Sequence, residues 1–506
     1  MADTKREIER KYESDESGLP DLTGVAGVRA VIDKGVANLD AVYYDTADER
    51  LAKASMTLRR RTGGSDAGWH LKVPVAPGVR DEIREPLSDT VPRTLAGLVR
   101  SRVREAELLP VVRLRSDRDV RHLVDADGAL LAEVSVDAVR AERLADGGGT
   151  AQWTEIEVEL ADDGDPVFLD KVEKRLRKAG VRPSMSASKL ARALAETAPE
   201  QPKKAKKRKA SPAPEEPRTA GDHVLAYVRE QRDAILELDP AVRQDAYDSV
   251  HRMRVATRRL RSTFRSYGKV LDRTVTDPVG EELKWLAGEL GVDRDREVMT
   301  ERLTAVLAEL PRTLVSGPIR TRMRTWANAR RGGSRRRLIG VLDSKRYLAL
   351  LDTLDTLVAE PPLLPDAAGT PEKVIGKAVR KDFEKVSALV EEAIGAPPGA
   401  DRDLALHEAR KKAKRTRYAA EAASPALGAP ARGLAKSMKS LTSLLGEHQD
   451  SVMVRETLRE LSALAHAAGE SSFTYGVLYG REEQRAAAVE AALPGMWEEI
   501  GSGMPG

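Results

Sequence analysis

Two periodicities divide the chain. Up to about residue 197, charged and apolar residues alternate with the two-residue period of strands. In Lys5-Arg6-Glu7-Ile8-Glu9-Arg10-Lys11-Tyr12 the alternation puts Lys5, Glu7, Glu9 and Lys11 on one face. After a short loop and helix, residues 38–46 read as a strand ending in a turn. Residues 55–62 send Arg59 and Arg61 to one side and Leu58 and Arg60 to the other. Gly63-Gly64-Ser65-Asp66 is a hairpin loop, and the return strand sets Trp69, Leu71 and Val73 opposite His70 and Lys72. A helix is predicted at about 91–105. Strands resume through Arg113, Arg115 and Arg118, then Glu133 and Asp137, then Glu155, Glu157 and Glu159 alternating with Ile156, Val158 and Leu160. Two helices, 166–179 and 186–197, close this region. Beyond about residue 220 the strand period gives way to helical spacing, with loops marked by Pro and Gly.

A chain of 506 residues exceeds one compact core, so the periodicity change is read as a domain boundary. Charge is dense, at 32% Asp, Glu, Lys and Arg, yet nearly balanced at +4. The absence of cysteine excludes disulfides, zinc-thiolate sites and thiol nucleophiles. Aromatic residues are only 4%, which weighs against nucleic acid as a partner, because single-strand binders need stacking platforms. No apolar run reaches the roughly 18 residues of a membrane span. The expectation is a soluble, cytoplasmic protein with no membrane contact.

Strand after strand in the first region carries cations or carboxylates at alternate positions. An open sheet would show that face to water; a closed one turns it into a lumen, where charges must be paired or bind something. Carboxylate oxygens suit Mg²⁺ or Mn²⁺, and lysine and arginine suit phosphate oxygens. Such a lumen fits phosphoryl chemistry built on positioning and electrostatics rather than on a covalent nucleophile.

Residues 1–197 thereby resemble the CYTH superfamily of triphosphate tunnel metalloenzymes. The resemblance rests on Glu7-x-Glu9-x-Lys11, Tyr44-Asp45-Thr46, Leu58-Arg59-x-Arg61, Lys72, Arg80-x-Glu82, Arg113-x-Arg115, Glu133-x-x-x-Asp137, Glu155-x-Glu157-x-Glu159 and Ser188-Lys189. It implies an antiparallel β tunnel with flanking helices that hydrolyses a triphosphate with Mg²⁺ or Mn²⁺. Carried over by position, Lys11, Arg59, Arg61, Lys72, Arg113, Arg115 and Lys189 hold phosphate. Glu7, Glu9, Glu157 and Glu159 hold metal or orient water, and Glu7, Glu9 and Lys11 form the catalytic core. Arg80, Glu82, Glu133, Asp137 and Glu155 are subsidiary, and His70, next to a loop, is read as incidental.

Residues 198–220 form a Pro- and Lys-rich linker centred on Lys203-Lys204-Ala205-Lys206-Lys207-Arg208-Lys209, a composition that cannot bury a core. In the helical region, about 221–500, His251, Arg254, Arg258 and Arg261 lie within roughly 80° on one helix face. The spacing recurs in His407, Arg410, Lys414 and Arg417. Each set is followed by Leu-Gly-x-x-x-Asp, Leu290-Gly291 to Asp295 and Leu445-Gly446 to Asp450, so the region is an internal duplication, about 221–360 and 370–500. Arg294 precedes Asp295 where Gln449 precedes Asp450, an asymmetry between the halves. Val255 and Lys411, one turn past each histidine, make a poor metal set. Facing basic helices repel unless an anion lies between them. These features resemble the CHAD domain, a duplicated helical bundle associated with inorganic polyphosphate. By position, His251, Arg254, Arg258, Arg261, His407, Arg410, Lys414 and Arg417 would bind it.

The combined expectation is a multidomain α+β protein, a β tunnel followed by an all-α bundle. It would be a metal-dependent tripolyphosphatase with a polyphosphate-binding module. The alternatives are a non-catalytic polyphosphate binder, or a hydrolase or cyclase acting on thiamine triphosphate or ATP.

Overall fold

The computed structural model describes residues 3–14, 18–64, 66–145, 148–199, 217–291, 294–328 and 331–502; the side chains of 294–298, 328 and 331–334 lie outside that description. Ser65, the basic run 203–209 and the side chains of Arg294 and Asp295 therefore lie outside the described residues. The chain divides into two compact units, Met1–Ser211 and Pro212–Gly506.

The first unit is an eight-stranded antiparallel barrel. In chain order its strands are β1 (Asp3–Ser14), β2 (Ala30–Asp45), β3 (Thr57–Thr62), β4 (Gly68–Ala76), β5 (Val79–Glu85), β6 (Leu109–Val124), β7 (Leu130–Arg143) and β8 (Thr150–Leu160). Around the ring they run β5-β4-β3-β2-β6-β7-β8-β1, and β1 pairs with β5 to close it, leaving no long edge to aggregate. A two-residue β9 (Arg182–Pro183) adds to β1. The helix expected ahead of β2 is a turn instead. Gly24, Ala26 and Gly27 all take positive φ, which a right-handed helix cannot contain.

Tyr44-Asp45-Thr46 builds a corner. The Asp45 carboxylate accepts the amides of Thr46, Leu51 and Ala52 at 2.7–2.9 Å, fixing the short helix α1 (Arg50–Lys53). Outside the barrel, α2 (Arg93–Val103) buries Leu95, Leu98 and Val99 on the outward residues of β3–β5, Leu58, Trp69, Leu71 and Ile83. Each such side chain contributes roughly 1.5–3 kcal/mol. The helix α3 (Val167–Lys178) covers Tyr12, Val134, Ile156 and Val158 with Leu169, Val172 and Leu176. Charged residues thus predominate inside, with Ala37, Leu39 and Val120 among them, and one end is apolar. There Val112, Leu114, Val139 and Trp153 pack against Leu190 and Ala193 of α4 (Lys189–Glu196), whose first turn is capped by Ser188 accepting the Ala191 amide at 3.0 Å.

The second unit is all helical. Its helices are α5 (Ala220–Arg243), α6 (Ser249–Ser266), α7 (Arg273–Glu289), α8 (Arg294–Ala308), α9 (Ile319–Asn328), α10 (Arg331–Leu342), α11 (Lys345–Ala359), α12 (Pro371–Gly395), α13 (Ala400–Leu427), α14 (Ala429–Ala467) and α15 (Phe473–Ser502). Ala405, Ala409, Ala413, Ala419, Ala420 and Ala423 are buried along α13, small side chains that let neighbouring helices approach closely. A second core joins Leu303 and Leu307 of α8 to Val454 and Leu458 of α14 and Leu478 of α15. No helix among the described residues is long and apolar enough to cross a membrane.

Candidate active site and anion groove

The barrel encloses a cavity of about 560 Å³ lined mostly by charge. Lys5, Glu7, Glu9 and Lys11 of β1 all line it, as do Arg59 and Arg61 of β3, Lys72 of β4, Glu82 of β5 and Glu157 and Glu159 of β8. The strand pleat does this: alternate residues of a closed sheet must face its interior.

One wall is anionic. Glu9 stands directly opposite Glu159, and Glu159 directly opposite Glu133, so three carboxylates run side by side across β1, β8 and β7. Like charges in cross-strand register are destabilising unless a cation relieves them. Lys5 Nζ reaches Glu159 at 3.0 Å, and Lys72 Nζ reaches Glu7 at 2.5 Å. Burial still pushes the Glu7 carboxyl up to about 7, with Glu82 and Glu159 adding to the rise and Lys72 opposing it. Burial works the same way on Glu9, but Lys11 and Lys72 hold it down to about 2. A row of hard oxygen donors is the ligand type that divalent cations take.

Deeper in, the charges are already matched. Lys189 Nζ lies 3.0, 2.8 and 2.7 Å from Asp137, Glu155 and Glu157. Glu157 also takes Lys11 and, at 2.7 Å, Arg118, which forks onto Asp137 at 2.8 Å. Asp137, Glu155 and Glu157 are close enough to share a metal, but the Lys189 ammonium already stands among them. Glu157, expected as a metal ligand, is ion-paired with Lys11, Arg118 and Lys189. Asp137 and Glu155 lie deeper on the same inward face and anchor Lys189.

Arg113 and Arg115 correct the sequence reading, because both project from the outer face of the barrel. Arg113 donates to Asp40 at 2.5 Å, and Arg115 lies 3.7 Å from the same carboxylate. The strand β6 carries arginine on both faces, and the parity that turns Leu114 inward turns Arg113 and Arg115 out; Arg118, of the same parity as Leu114, enters the lumen. Arg84, Tyr43 and His122 also line the cavity without having been singled out. For Arg84 the signal was there, two residues past Glu82 on one strand. Arg80 lines the cavity and donates to the Ala187 carbonyl at 2.6 Å. His70 is buried behind the wall, its ring nitrogens 3.0 Å from Glu82 and 2.9 Å from the Asp66 carbonyl.

In the helical unit, α6 and α13 bring Arg254 and Arg258 together with Arg410 and Lys414. Burial first, then Arg410, Arg258 and Arg254, push the Lys414 ammonium down to about 7, against the pull of Asp450. Arg258, Arg261, Lys411 and Lys414 line one depression of about 180 Å³ between the two helices. The duplicated halves diverge at their ends. Arg417 donates to Glu421 at 2.8 Å, whereas the matching position beyond Arg261 is Arg265. His251 is exposed, and His407 Nδ1 lies 2.5 Å from Gln449 Oε1.

Fold and site define a charged β tunnel joined to a helical bundle with a basic groove. Residues 5–194 match the CYTH domain family and residues 226–459 the CHAD domain family. The chain belongs to the proteins that combine these two domains. Two uncharacterized proteins of Mycobacterium tuberculosis, from strains CDC 1551 / Oshkosh and ATCC 25618 / H37Rv, are each 39% identical over 507 residues, covering 96% of this chain and 95% of theirs. Among solved structures, PptA from Streptomyces chartreusis aligns with a TM-score of 0.47 at 20% identity, over 56% of this chain and 99% of that one. The CHAD domain from the plant Ricinus communis aligns with a TM-score of 0.44 at 24% identity, over 55% and 92%. CYTH domains are divalent-metal-dependent triphosphatases or cyclases, and CYTH and CHAD domains are associated with triphosphate and polyphosphate.

Proposed function

We propose that the tunnel hydrolyses inorganic triphosphate with Mg²⁺ or Mn²⁺ and that the helical domain binds inorganic polyphosphate. The observation that carries the reading is the division of one lumen into a row of carboxylates and an array of Lys and Arg. Glu7, Glu9 and Glu159, with Glu133 beside them, are the residues that would hold the cation, which when bound neutralises phosphate charge as a Lewis acid. Lys11, Arg59, Arg61, Lys72, Arg118 and Lys189 bind and orient the phosphate chain. Their preorganised donors favour the charge that spreads over the phosphoryl oxygens during transfer. A lumen carboxylate orients the attacking water in line with the leaving phosphate. In the groove, Arg254, Arg258, Arg261, Arg410 and Lys414 supply the charge for polyphosphate, with His251, His407 and Arg417 at its margins.

Phosphate release from tripolyphosphate, ATP and thiamine triphosphate tests the reading, each with Mg²⁺, with Mn²⁺ and with chelator. Tripolyphosphate is expected to be cleaved fastest and chelator to abolish release. A faster organic triphosphate would reassign the substrate.

A further inference from the structure

We propose that the tunnel is a one-ended socket that takes a triphosphate by a free terminal phosphate, which comes to rest against the hydroxyl of Tyr43. The proposal rests on the reading of the tunnel as a triphosphate site and specifies how that substrate enters.

One end of the barrel is stopped. Val112, Leu114, Val139 and Trp153 point inward there and pack on Leu190 and Ala193, none of them more than 8% exposed. The cap is pinned from both sides: Arg80 of β5 donates to the Ala187 carbonyl at 2.6 Å, and Arg143 of β7 to the Leu194 carbonyl at 3.2 Å. The opposite end opens past Val36 and Leu130, which are 67% and 41% exposed.

Tyr43 is the seam between the apolar stopper and the charged lumen. Its ring belongs to the buried cluster, yet the residue lines the cavity. Among the described residues its hydroxyl has one hydrogen-bond partner, Arg59, whose Nη1 donates to it at 3.4 Å. The phenolic hydrogen is therefore left for an acceptor, and a buried donor without one is costly. Burial alone would push this phenol up, but Arg59, then Lys189 and Lys11, bring it below its ordinary value, so its oxygen faces the same cations as the phosphate site. A terminal phosphate brings unesterified oxygens to that place. A continuing chain or an attached nucleoside would have to pass through packed Leu, Val and Trp side chains. An ester such as ATP would enter γ-phosphate first.

Titration calorimetry of the full chain with Mg²⁺ tests this with tripolyphosphate, with ATP, and with diadenosine triphosphate, whose two ends are both esterified. Tripolyphosphate should bind at least about 100-fold tighter than the doubly capped ligand, and ATP should also bind better than it. Tyr43→Phe, which removes only the oxygen, should weaken tripolyphosphate about 10-fold with an unchanged melting temperature, the effect of one hydrogen bond to a charged group. Equal affinity for the capped ligand, or an unchanged affinity in Tyr43→Phe, overturns the proposal. Binding with this end preference but without phosphate release would remove the hydrolase reading and leave the socket standing.

Discussion

Arg254 lies across Gly291: a Cβ built on that glycine would sit 2.8 Å from the guanidinium carbon. The duplicate half repeats the arrangement with Arg410 over Gly446, where the nearest approach is 3.4 Å, to Nη2. The Leu-Gly signature thus has a physical cause. It leaves room for the arginine three residues past each histidine, Arg254 or Arg410, to lie flat at the groove.

Substitution at these glycines should separate binding from stability. Gly291→Ala must displace Arg254 and is expected to weaken polyphosphate binding about 10-fold, with Gly446→Ala a few-fold. Gly446 lies inside α14, where alanine favours the helix by up to about 1 kcal/mol. Gly446→Ala should therefore raise the melting temperature while lowering affinity. Calorimetric binding beside thermal unfolding checks this; loss of both together would assign the glycine to packing alone.

The groove should bind protons along with its ligand. Lys414 titrates near 7 when the groove is empty, and an anion laid beside it favours the charged form. Affinity should accordingly be full below about pH 7 and decline as pH rises above that value, with proton uptake on binding measurable from buffer-dependent heats. Lys414→Arg, charged throughout, should flatten this part of the profile.

In the tunnel, pH and metal should trade places. The folded Glu7 holds its proton to about pH 7, above the ordinary carboxyl value of 4.5. The folded state therefore binds more protons than the unfolded one between those values, and this group's contribution to stability is lost as pH rises through that window. Mg²⁺ or Mn²⁺ replaces the proton as the counter-charge. The melting temperature should rise more on adding the ion at pH 8 than at pH 5, and Glu7→Gln should reduce the difference.

The two faces of β6 give a sharp contrast. Arg113→Ala and Arg115→Ala should leave kcat/KM for tripolyphosphate within about 2-fold of the parent. Arg118→Lys should lower it at least about 10-fold, because a lysine cannot fork onto both Asp137 and Glu157. Steady-state kinetics on the three variants decides it.

Much of this was legible in the sequence, for a physical reason. Alternation fixes which residues share a strand face, so Lys5, Glu7, Glu9 and Lys11 are on one side whatever the tertiary structure. The internal duplication needs only spacing. Alternation does not say which face is inside when both carry arginine, and β6 does: Arg113 and Arg115 share the outer face with Asp117, and only the inward packing of Leu114 on α4 marks the other parity. The partners of Lys189 come from β7 and β8, up to 52 residues away along the sequence, so its place among three carboxylates appears only in the folded chain. The arginine–glycine contacts likewise join separate elements, α6 to the turn after α7 and α13 to α14.

The central claim is most directly tested by phosphate release from inorganic tripolyphosphate, comparing the full chain with Glu7→Ala/Glu9→Ala in Mg²⁺ and in Mn²⁺. Metal-dependent release by the parent, reduced at least about 1,000-fold in the double variant while the fold and polyphosphate binding persist, is the predicted result. Release that survives loss of both carboxylates, or no release by the parent under any metal, would contradict it.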